Sequence, residues 1–272
     1  KPYLLKVDAY GTVLWERVYT NVPNNGRVWD ILPATDSSGY FVLSTYNYDE
    51  LTLTLQTRIT KINEGGDSIL LDKIYNFETD YYFASKLEYT TDGNIIMIGS
   101  RHPYNYTGFV AKVDATTLDT IWVNRGKAGG GGGIISLADG SYISGRGDRN
   151  YGYLDLAEQA VIYKLNTLGE VQWYRNYGGE GNDYCYDISP SPDGGYIMAG
   201  RTDTLISNGT GGFYTNADIY IVKTNCMGLL TEPQSAFSYT YDTTTLVAHF
   251  QNLSQYTYPD SIDGGHYLWD FG

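Results

Sequence analysis

The sequence predicts an all-β protein with the architecture of a β-propeller. Glycine and tyrosine are unusually frequent, with 32 and 28 copies in 272 residues, and they favour tight turns and half-buried strands respectively. The chain also repeats itself with a period of about 50 residues, which is long enough for four short strands. No segment combines a sustained helical period with capping residues, so helices are expected to be nearly absent.

Composition excludes several classes of partner. Eighteen Lys and Arg against 31 Asp and Glu leave a formal net charge of −13, whereas binding to a phosphate backbone requires basic patches. No stretch approaches the roughly 18 uncharged apolar residues that cross a bilayer. We therefore expect neither a nucleic-acid partner nor membrane insertion.

The first repeated phrase is an alternating strand with a central lysine, a turn, and a second strand that carries tryptophan. The lysines follow one another at 55, 51, 52 and 59 residues, and they are Lys6, Lys61, Lys112, Lys164 and Lys223. Trp15, Trp122 and Trp173 are expected to pack between neighbouring sheets. Leu70 takes the place of tryptophan in the second copy, and the fifth copy, at 219–228, has none.

The second repeated phrase is a tight turn followed by a short apolar strand that ends near glycine. Its copies occupy 36–44, 92–100, 139–146 and 193–201. Each turn begins with an aspartate that should accept hydrogen bonds within its own turn, namely Asp36, Asp92, Asp139 and Asp193. Three of these strands end near a glycine, and we interpret the three glycines as equivalent. A glycine there indicates a place where two backbones approach closely, and the three are Gly99, Gly145 and Gly200.

Strand counting gives two strands, three complete blades and then three strands. The sequence therefore predicts four or more four-stranded blades, incomplete within residues 1–272. A four-bladed ring with one extra strand is an alternative, but four blades is the low end for propellers, so further blades upstream are favoured. The run Gly129–Gly133 replaces an apolar strand start, and it predicts either a loop or a close approach of two backbones.

The repeats resemble those of large secreted or surface proteins from Bacteroidetes-type bacteria, with a period near that of kelch repeats. The clearest match combines Trp-Tyr-Arg-Asn-Tyr-Gly-Gly at 173–179, Asp-Gly-Gly-Tyr-Ile-Met-Ala-Gly at 193–200 and Asp-Ile-Tyr-Ile-Val-Lys at 218–223. The resemblance covers roughly residues 1–228. It implies a propeller fold and an extracellular location, and it specifies no activity.

The end of the chain resembles the beginning of a PKD domain, a small immunoglobulin-like β-sandwich. The matching motifs are Phe-Gln-Asn-Leu-Ser at 250–254 and Trp-Asp-Phe-Gly at 269–272. This resemblance divides the chain into propeller blades at 1–230, a linker at 231–235 and a partial PKD-like domain at 236–272. The order propeller then PKD is similar to cargo of the type IX secretion pathway, which would place a signal peptide before residue 1 and a sorting domain beyond residue 272.

Candidate chemistry is sparse. Cys185 and Cys226 form either a disulfide or two separate small residues, because the first and third strands of a blade are not neighbours. The three histidines have no recognisable nucleophile beside them, and neither a CxxC pair nor a DxDxDG calcium loop is present. We expect no catalytic residue and no cofactor, with structural calcium around 148–158 as a weak alternative.

Arginine and aromatic residues provide the remaining candidates. Arg101, Arg146 and Arg201 follow the second strand of successive repeats, and a catalytic propeller would need them to line one channel with aspartates. Aromatic pairs follow the same strands and are expected on loops of one face, where tyrosine suits glycan or protein recognition. These residues are Tyr46, Tyr48, Tyr104, Tyr106, Tyr151, Tyr153, Phe213 and Tyr214.

The sequence therefore favours a non-enzymatic extracellular or cell-surface module for scaffolding or adhesion. Its expected partners are extracellular proteins or glycans, together with components of the secretion system or the cell surface. The alternative is an accessory substrate-binding region of a large secreted enzyme that degrades polysaccharide or protein, with the catalytic domain elsewhere in the polypeptide.

Overall fold

The structure is a computed structural model, and it is built of antiparallel β-sheets that follow one another along the chain. It describes residues 2–19, 26–49, 54–75, 81–102, 108–126, 128, 130–149, 158–179, 181–207, 213–230, 237–242, 244–245 and 247–252. Within these residues there is no helix, and so none long and apolar enough to cross a membrane.

Five sheets succeed one another as propeller blades, named A to E. Blade A contains β1 (Tyr3–Val7) and β2 (Val13–Val18), and blade B contains β3 (Arg27–Pro33), β4 (Gly39–Asp49), β5 (Thr54–Asn63) and β6 (Ile69–Tyr75). Blade C contains β7 (Tyr81–Tyr89), β8 (Ile95–His102), β9 (Gly108–Val113) and β10 (Thr120–Gly126). Blade D contains β11 (Ile134–Ser136), β12 (Tyr142–Arg149), β13 (Glu158–Leu165) and β14 (Val171–Tyr177). Blade E contains β15 (Asp183–Pro190), β16 (Tyr196–Ser207) and β17 (Phe213–Thr224).

The strand count confirms the predicted incomplete propeller. Two strands are followed by three four-stranded blades and then by three strands, each paired with its neighbour in the chain. Within the described residues, β1 pairs only with β2 and β17 pairs only with β16, so the ring is not closed. A separate hairpin of β18 (Phe237–Asp242) and β19 (Val247–Asn252) follows. The predicted domain boundaries lie next to residues 231–236, which are outside the described residues, and they stay a prediction.

The core lies between blades, in a series of apolar layers. In each layer two neighbouring blades pack face to face. The face that a blade turns toward the blade after it in the sequence is here called its next face, and the face that it turns toward the blade before it is called its previous face. Between blades B and C, for example, Phe41, Leu43 and Ile59 share a cluster with Ile95 and Met97. Similar clusters fill the A–B, C–D and D–E interfaces. The first strands of consecutive blades B to E also pack against one another, as propeller geometry requires.

Strand register corrects one predicted equivalence. Lys6 pairs with Trp15, Lys112 with Trp122 and Lys164 with Trp173. In blade B the partner of Lys61 is Leu71, not Leu70. Leu71 is half-buried in the B–C layer whereas Leu70 is exposed, so the residue that replaces tryptophan is Leu71.

The tryptophans do pack between neighbouring sheets, as expected. Each ring lies against a turn glycine of the following blade, so a Cβ there would come within 2.7–3.0 Å of the ring. These glycines have φ of +68° to +75°, a conformation that side chains rarely adopt. The pairs are Trp15 with Gly66, Trp122 with Gly169 and Trp173 with Gly228.

At the B–C interface the smaller residue is on the strand and the larger one is on the turn, which is the reverse of the other three interfaces. Leu118 stands where the other turns have glycine, has a φ of +62° and is fully buried. Leu71, the smaller substitute for tryptophan, packs against the cluster that contains Leu118. A large residue on the turn therefore fills the volume that a tryptophan occupies elsewhere, which keeps the layer close-packed.

A tyrosine hydroxyl strengthens three of these junctions. Four residues after Trp15, Leu71 and Trp173 lies a tyrosine that donates a hydrogen bond to a turn carbonyl of the following blade. The bonds run from Tyr19 to Gly66 at 2.8 Å, from Tyr75 to Leu118 at 2.7 Å and from Tyr177 to Gly228 at 2.6 Å. Burial raises the pKa of Tyr75 and of Tyr177, so both hydroxyls stay protonated as donors.

The glycine run is a place of close backbone approach, one of the two predicted outcomes. A Cβ on Gly132 would lie 1.8 Å from the carbonyl oxygen of Gly145, and one on Gly130 would lie 2.7 Å from Cβ of Arg146. The predicted equivalence of Gly145 with Gly99 and Gly200 is wrong. In each second strand one residue pairs with the repeated lysine. The third residue after it is Gly99 in blade C and Gly200 in blade E, but Arg146 in blade D.

This shift explains why the run exists. In blade E the second strand has the glycine, because a Cβ on Gly200 would lie 1.7 Å from the carbonyl oxygen of Tyr184 in the first strand. In blade D the second strand carries the fully buried Arg146, and the glycines stand on the opposing segment instead. In both blades, glycine on one of the two facing segments allows the backbones to approach closely.

Candidate functional site

The aromatic residues predicted for loops lie partly in strands. Tyr46 and Tyr48 belong to the final part of β4, and Phe213 and Tyr214 begin β17, where they pair with Ser207 and Ile206. These four residues therefore extend the sheet rather than forming a loop. Tyr104, Tyr106, Tyr151 and Tyr153 lie outside the described residues, so the shared aromatic surface stays a prediction.

The two cysteines are free thiols, so the disulfide alternative is wrong. Cys185 is buried in β15 and Cys226 is exposed in the turn after β17. Strand β16 separates the two strands, and the sulfur of Cys185 points at Gly145 of blade D, where an added Cβ would lie 2.5 Å away. Burial raises the pKa of Cys185 to about 12, which leaves a packed, unreactive thiol.

The repeated aspartates do accept hydrogen bonds in their own turns. Backbone amides two residues later donate to them at 3.0 Å for Asp36, 3.5 Å for Asp92, 2.9 Å for Asp139 and 3.2 Å for Asp193. The repeated lysines, which sequence reasoning used only as markers, supply a second partner. They form ion pairs at 3.3 Å (Lys61–Asp36), 2.6 Å (Lys112–Asp92), 3.6 Å (Lys164–Asp139) and 2.6 Å (Lys223–Asp193).

These contacts predict that acid destabilises the protein. The ammonium of Lys223 and the amide of Gly195 lower the pKa of Asp193 to about 2. A carboxylate with a lowered pKa in the folded state contributes stability above its unfolded pKa of about 4, and this is lost as pH falls. We expect the urea midpoint of the parent protein to fall as the pH is lowered from about 5 to about 2. The midpoint of Asp193→Asn should fall less over that window than the midpoint of Asp218→Asn, which changes an exposed aspartate. Equal pH profiles for the two variants would contradict this assignment.

The three arginines follow successive second strands, but they do not occupy equivalent positions in them. They stand five, three and four residues after the residue that pairs with the repeated lysine, for Arg101, Arg146 and Arg201 respectively. Because side chains alternate across a strand, Arg146 and Arg201 lie on opposite faces of their blades. Arg146 is fully buried, and Arg201 lies on the next face of blade E.

The next face of blade E is exposed where the same positions of other blades are buried. Ile197 pairs with the repeated lysine and is 41% exposed, whereas Phe41, Ile96 and Ile143 at that position are buried. Ile221, two residues before the lysine, is 62% exposed, whereas Ile59, Val110 and Ile162 are buried. Ile219 is 84% exposed. Blade E thus presents an interface face with nothing against it among the described residues.

Aromatic and charged side chains complete this face. Tyr184, Arg201 and Ile219 are cross-strand neighbours in one row. The rings of Tyr184 and Tyr186 stack with centroids 6.2 Å apart and planes 17° apart, and the guanidinium of Arg201 lies 5.4 Å from the centre of the Tyr184 ring. We call this surface the open face; it comprises Tyr184, Tyr186, Ile197, Arg201, Ile219 and Ile221.

The arginine of the open face is held in a fixed position. Its Nε and Nη2 each donate to the buried Asp203 at 2.6 Å, a bidentate pair. The guanidinium holds the pKa of Asp203 below its usual range. Burial and a hydrogen bond with Glu158 raise the pKa of Tyr184, which keeps its phenol neutral. The open face therefore offers stacked rings, isoleucines and one oriented cation, which suits binding rather than proton transfer.

Sequence reasoning missed the open face, although its residues carry a signal. The alternation Tyr184-Cys185-Tyr186 places both rings on one side of β15, apart from the bulge there. Ile197 and Ile221 could not be distinguished, because the same positions are apolar in blades B to D. Among the described residues, no group of three or more His, Cys, Asp or Glu is arranged to hold a metal ion. Residues 150–157 of the predicted calcium loop lie outside them.

No protein-family model and no curated protein matches this chain. Among solved structures, it is similar to a protein of unknown function from Bacteroides caccae, with a TM-score of 0.53, 13% sequence identity, and coverage of 82% of this chain and 71% of that one. The WD40 β-propeller domain of Doa1 gives a TM-score of 0.45 at 15% identity, with coverage of 70% and 51%. An exo-β-1,3-galactanase from Phanerochaete chrysosporium gives 0.46 at 9% identity, with coverage of 85% and 62%. At these identities the likeness concerns the fold alone.

Proposed function

We propose that this protein is a non-enzymatic module, secreted or held at a bacterial cell surface, that acts in scaffolding or adhesion by binding other proteins or glycans. The observation that carries the proposal is the open face of blade E. It is a sheet face with the composition of an internal blade interface, and none of the described residues covers it.

The chemistry of the open face favours a protein partner. Exposed isoleucines beside stacked tyrosines form an apolar patch of the kind that marks interaction surfaces. Tyrosine and arginine are also the residues most often found at the energetic centre of protein interfaces. The repeated lysines of blades B to E are, by contrast, engaged in Lys–Asp pairs. They therefore support the fold and leave recognition to residues that differ between blades.

The second candidate is an accessory substrate-binding region of a secreted polysaccharide- or protein-degrading enzyme. The stacked rings of Tyr184 and Tyr186 favour it, because exposed aromatic rings provide a platform for sugar rings. The predicted aromatic surface around Tyr104 and Tyr151 would serve the same role. Extracellular location, type IX secretion and a PKD-like domain at 236–272 rest on the sequence resemblance, to which the hairpin of β18 and β19 adds a compatible local structure.

Sedimentation velocity and affinity electrophoresis distinguish the two candidates. We expect the chain to self-associate between low micromolar and about 100 µM, because exposed apolar faces associate in water. Ile221→Asp should abolish this association, whereas Ile121→Asp, at an exposed isoleucine of β10, should leave it unchanged. Gels that contain a panel of plant, algal and bacterial polysaccharides should not retard the protein.

Each alternative outcome has a definite meaning. Retardation by a polysaccharide that Tyr186→Ala relieves would support the accessory binding region, and peptide mapping of the native polypeptide should then find a hydrolase domain. A protein that stays monomeric, with both isoleucine variants behaving alike and no polysaccharide bound, would overturn the open face as a recognition surface.

A further inference from the structure

A buried carboxylate lies inside the junction between blades D and E, on the side of blade E that is opposite to the open face. Asp183 begins β15 and is 1% exposed. Its Oδ2 accepts a hydrogen bond from the amide of Gly179 at 2.9 Å, whereas its Oδ1 is buried and accepts none. Among the described residues no basic side chain forms an ion pair with it. Because burying a carboxylate without such partners is costly, a compensating positive charge is expected there.

An amide oxygen of blade D lies beside this carboxylate. Gln159, in β13, donates through Nε2 to the carbonyl oxygens of Glu158 and Gly179 at 3.4 and 3.1 Å. This orientation of the amide is fixed, because the flipped group would set its oxygen against both carbonyls. Oε1 of Gln159 is therefore an acceptor, and within the described part of the chain no donor bonds to it.

A glycine makes room for both oxygens. Gly178 follows β14 with a φ of +142°, a conformation that side chains rarely adopt. A Cβ there would lie 1.9 Å from Oδ2 of Asp183 and 2.9 Å from Oε1 of Gln159. Burial and then the charge of Asp183 raise the pKa of Tyr220 in the neighbouring part of β17. Two acceptors from adjacent blades thus approach one point, where the local charge is negative.

We propose that Asp183 and Gln159 bind a calcium ion that joins blade E to blade D. Calcium in proteins is held by carboxylate, amide and carbonyl oxygens at about 2.3–2.6 Å. These distances are shorter than the roughly 2.7–2.8 Å of a hydrogen bond to water, so an oxygen that water does not reach can still contact a dehydrated ion. Magnesium suits the place less well, because it retains several of its waters.

The ligands define how tightly the ion binds and what it does. The site has one carboxylate and one amide oxygen, with backbone carbonyls and water as the remaining ligands, so its affinity should match the weak sites of extracellular modules, with a Kd of about 10⁻⁴–10⁻³ M. An ion there contacts β13 and β15 at once. Because only the folded protein brings these strands together, calcium should stabilise the folded state.

The test measures urea unfolding of the chelator-treated chain with and without about 5 mM calcium chloride, at equal ionic strength. We expect calcium to raise the urea midpoint, and magnesium at the same concentration to raise it less. Asp183→Asn should remove the response to calcium. Asp218→Asn, at an exposed aspartate in the same cross-strand row, should keep it. Gln159→Leu retains the carboxylate and should weaken calcium binding about tenfold, as read from the calcium dependence of the midpoint.

Two outcomes would overturn the proposal. The first is an unchanged midpoint of the folded parent protein in calcium, which would mean that a proton or a water molecule compensates Asp183. The second is an equal gain in the parent, Asp183→Asn and Gln159→Leu, which would mean that divalent ions only screen the net charge of −13. If Asp183→Asn does not fold, the response of Gln159→Leu decides between these results. Neither outcome bears on the open face, so the proposed function is tested separately.

Discussion

Replacement of Gly132 by alanine is expected to destabilise the protein by about 3 kcal/mol, whereas replacement of the adjacent Gly131 should change stability by less than about 0.5 kcal/mol. A Cβ at Gly132 would lie 1.8 Å from the carbonyl oxygen of Gly145, a backbone atom in β12 that cannot rotate away. A Cβ at Gly131 would meet nothing within 4 Å. Urea unfolding of the two variants and the parent protein provides the measurement.

The adjacent position is the control, because both variants make the same chemical change one residue apart. A flexible loop would tolerate alanine equally at both positions. Equal stability of the two variants would therefore reject close backbone approach as the reason for the glycine run. A large loss for Gly131→Ala alone would also contradict the described packing around Arg146.

The second large effect is expected at the B–C interface. Leu71→Trp should cost about 2 kcal/mol, because Leu118 already fills the volume that the indole would need. Leu118→Gly should also cost about 2 kcal/mol, since the loss of a buried side chain exceeds the relief of its left-handed backbone. The double variant recreates the Trp–Gly pair of the other three interfaces and should lie within about 1 kcal/mol of the parent protein.

A double-mutant cycle by urea unfolding measures this coupling. The expected interaction energy is about 3 kcal/mol in favour of the double variant. As a control, Leu71→Trp and Gly131→Ala change separate sites, and their effects on the free energy of unfolding should be additive. Additivity of Leu71→Trp with Leu118→Gly would mean that the two residues do not share one volume.

Much of the fold could be predicted because its determinants are local and repeated. The Asp-Gly turns and the lysine spacing predict hairpins and strands without knowledge of any distant contact. The strand count followed directly, as did the hydrogen bonds of Asp36 and Asp193 within their turns. Register was harder. Lys61 is ten residues from its partner Leu71, whereas Lys6 is nine residues from its partner Trp15. A change of one residue in turn length moves every following side chain to the other face of the strand.

The candidate site depended on information that no single repeat contains. By itself, the sequence determined a repeating all-β chain with tryptophan between sheets and glycine where backbones crowd. Only the tertiary structure decided that Ile221 is exposed while Ile59 is buried, that Arg146 takes a glycine position, and that Lys6 turns to Glu64. The physical reason is that strand formation depends on neighbouring residues, whereas exposure depends on whether another sheet lies against the same residues.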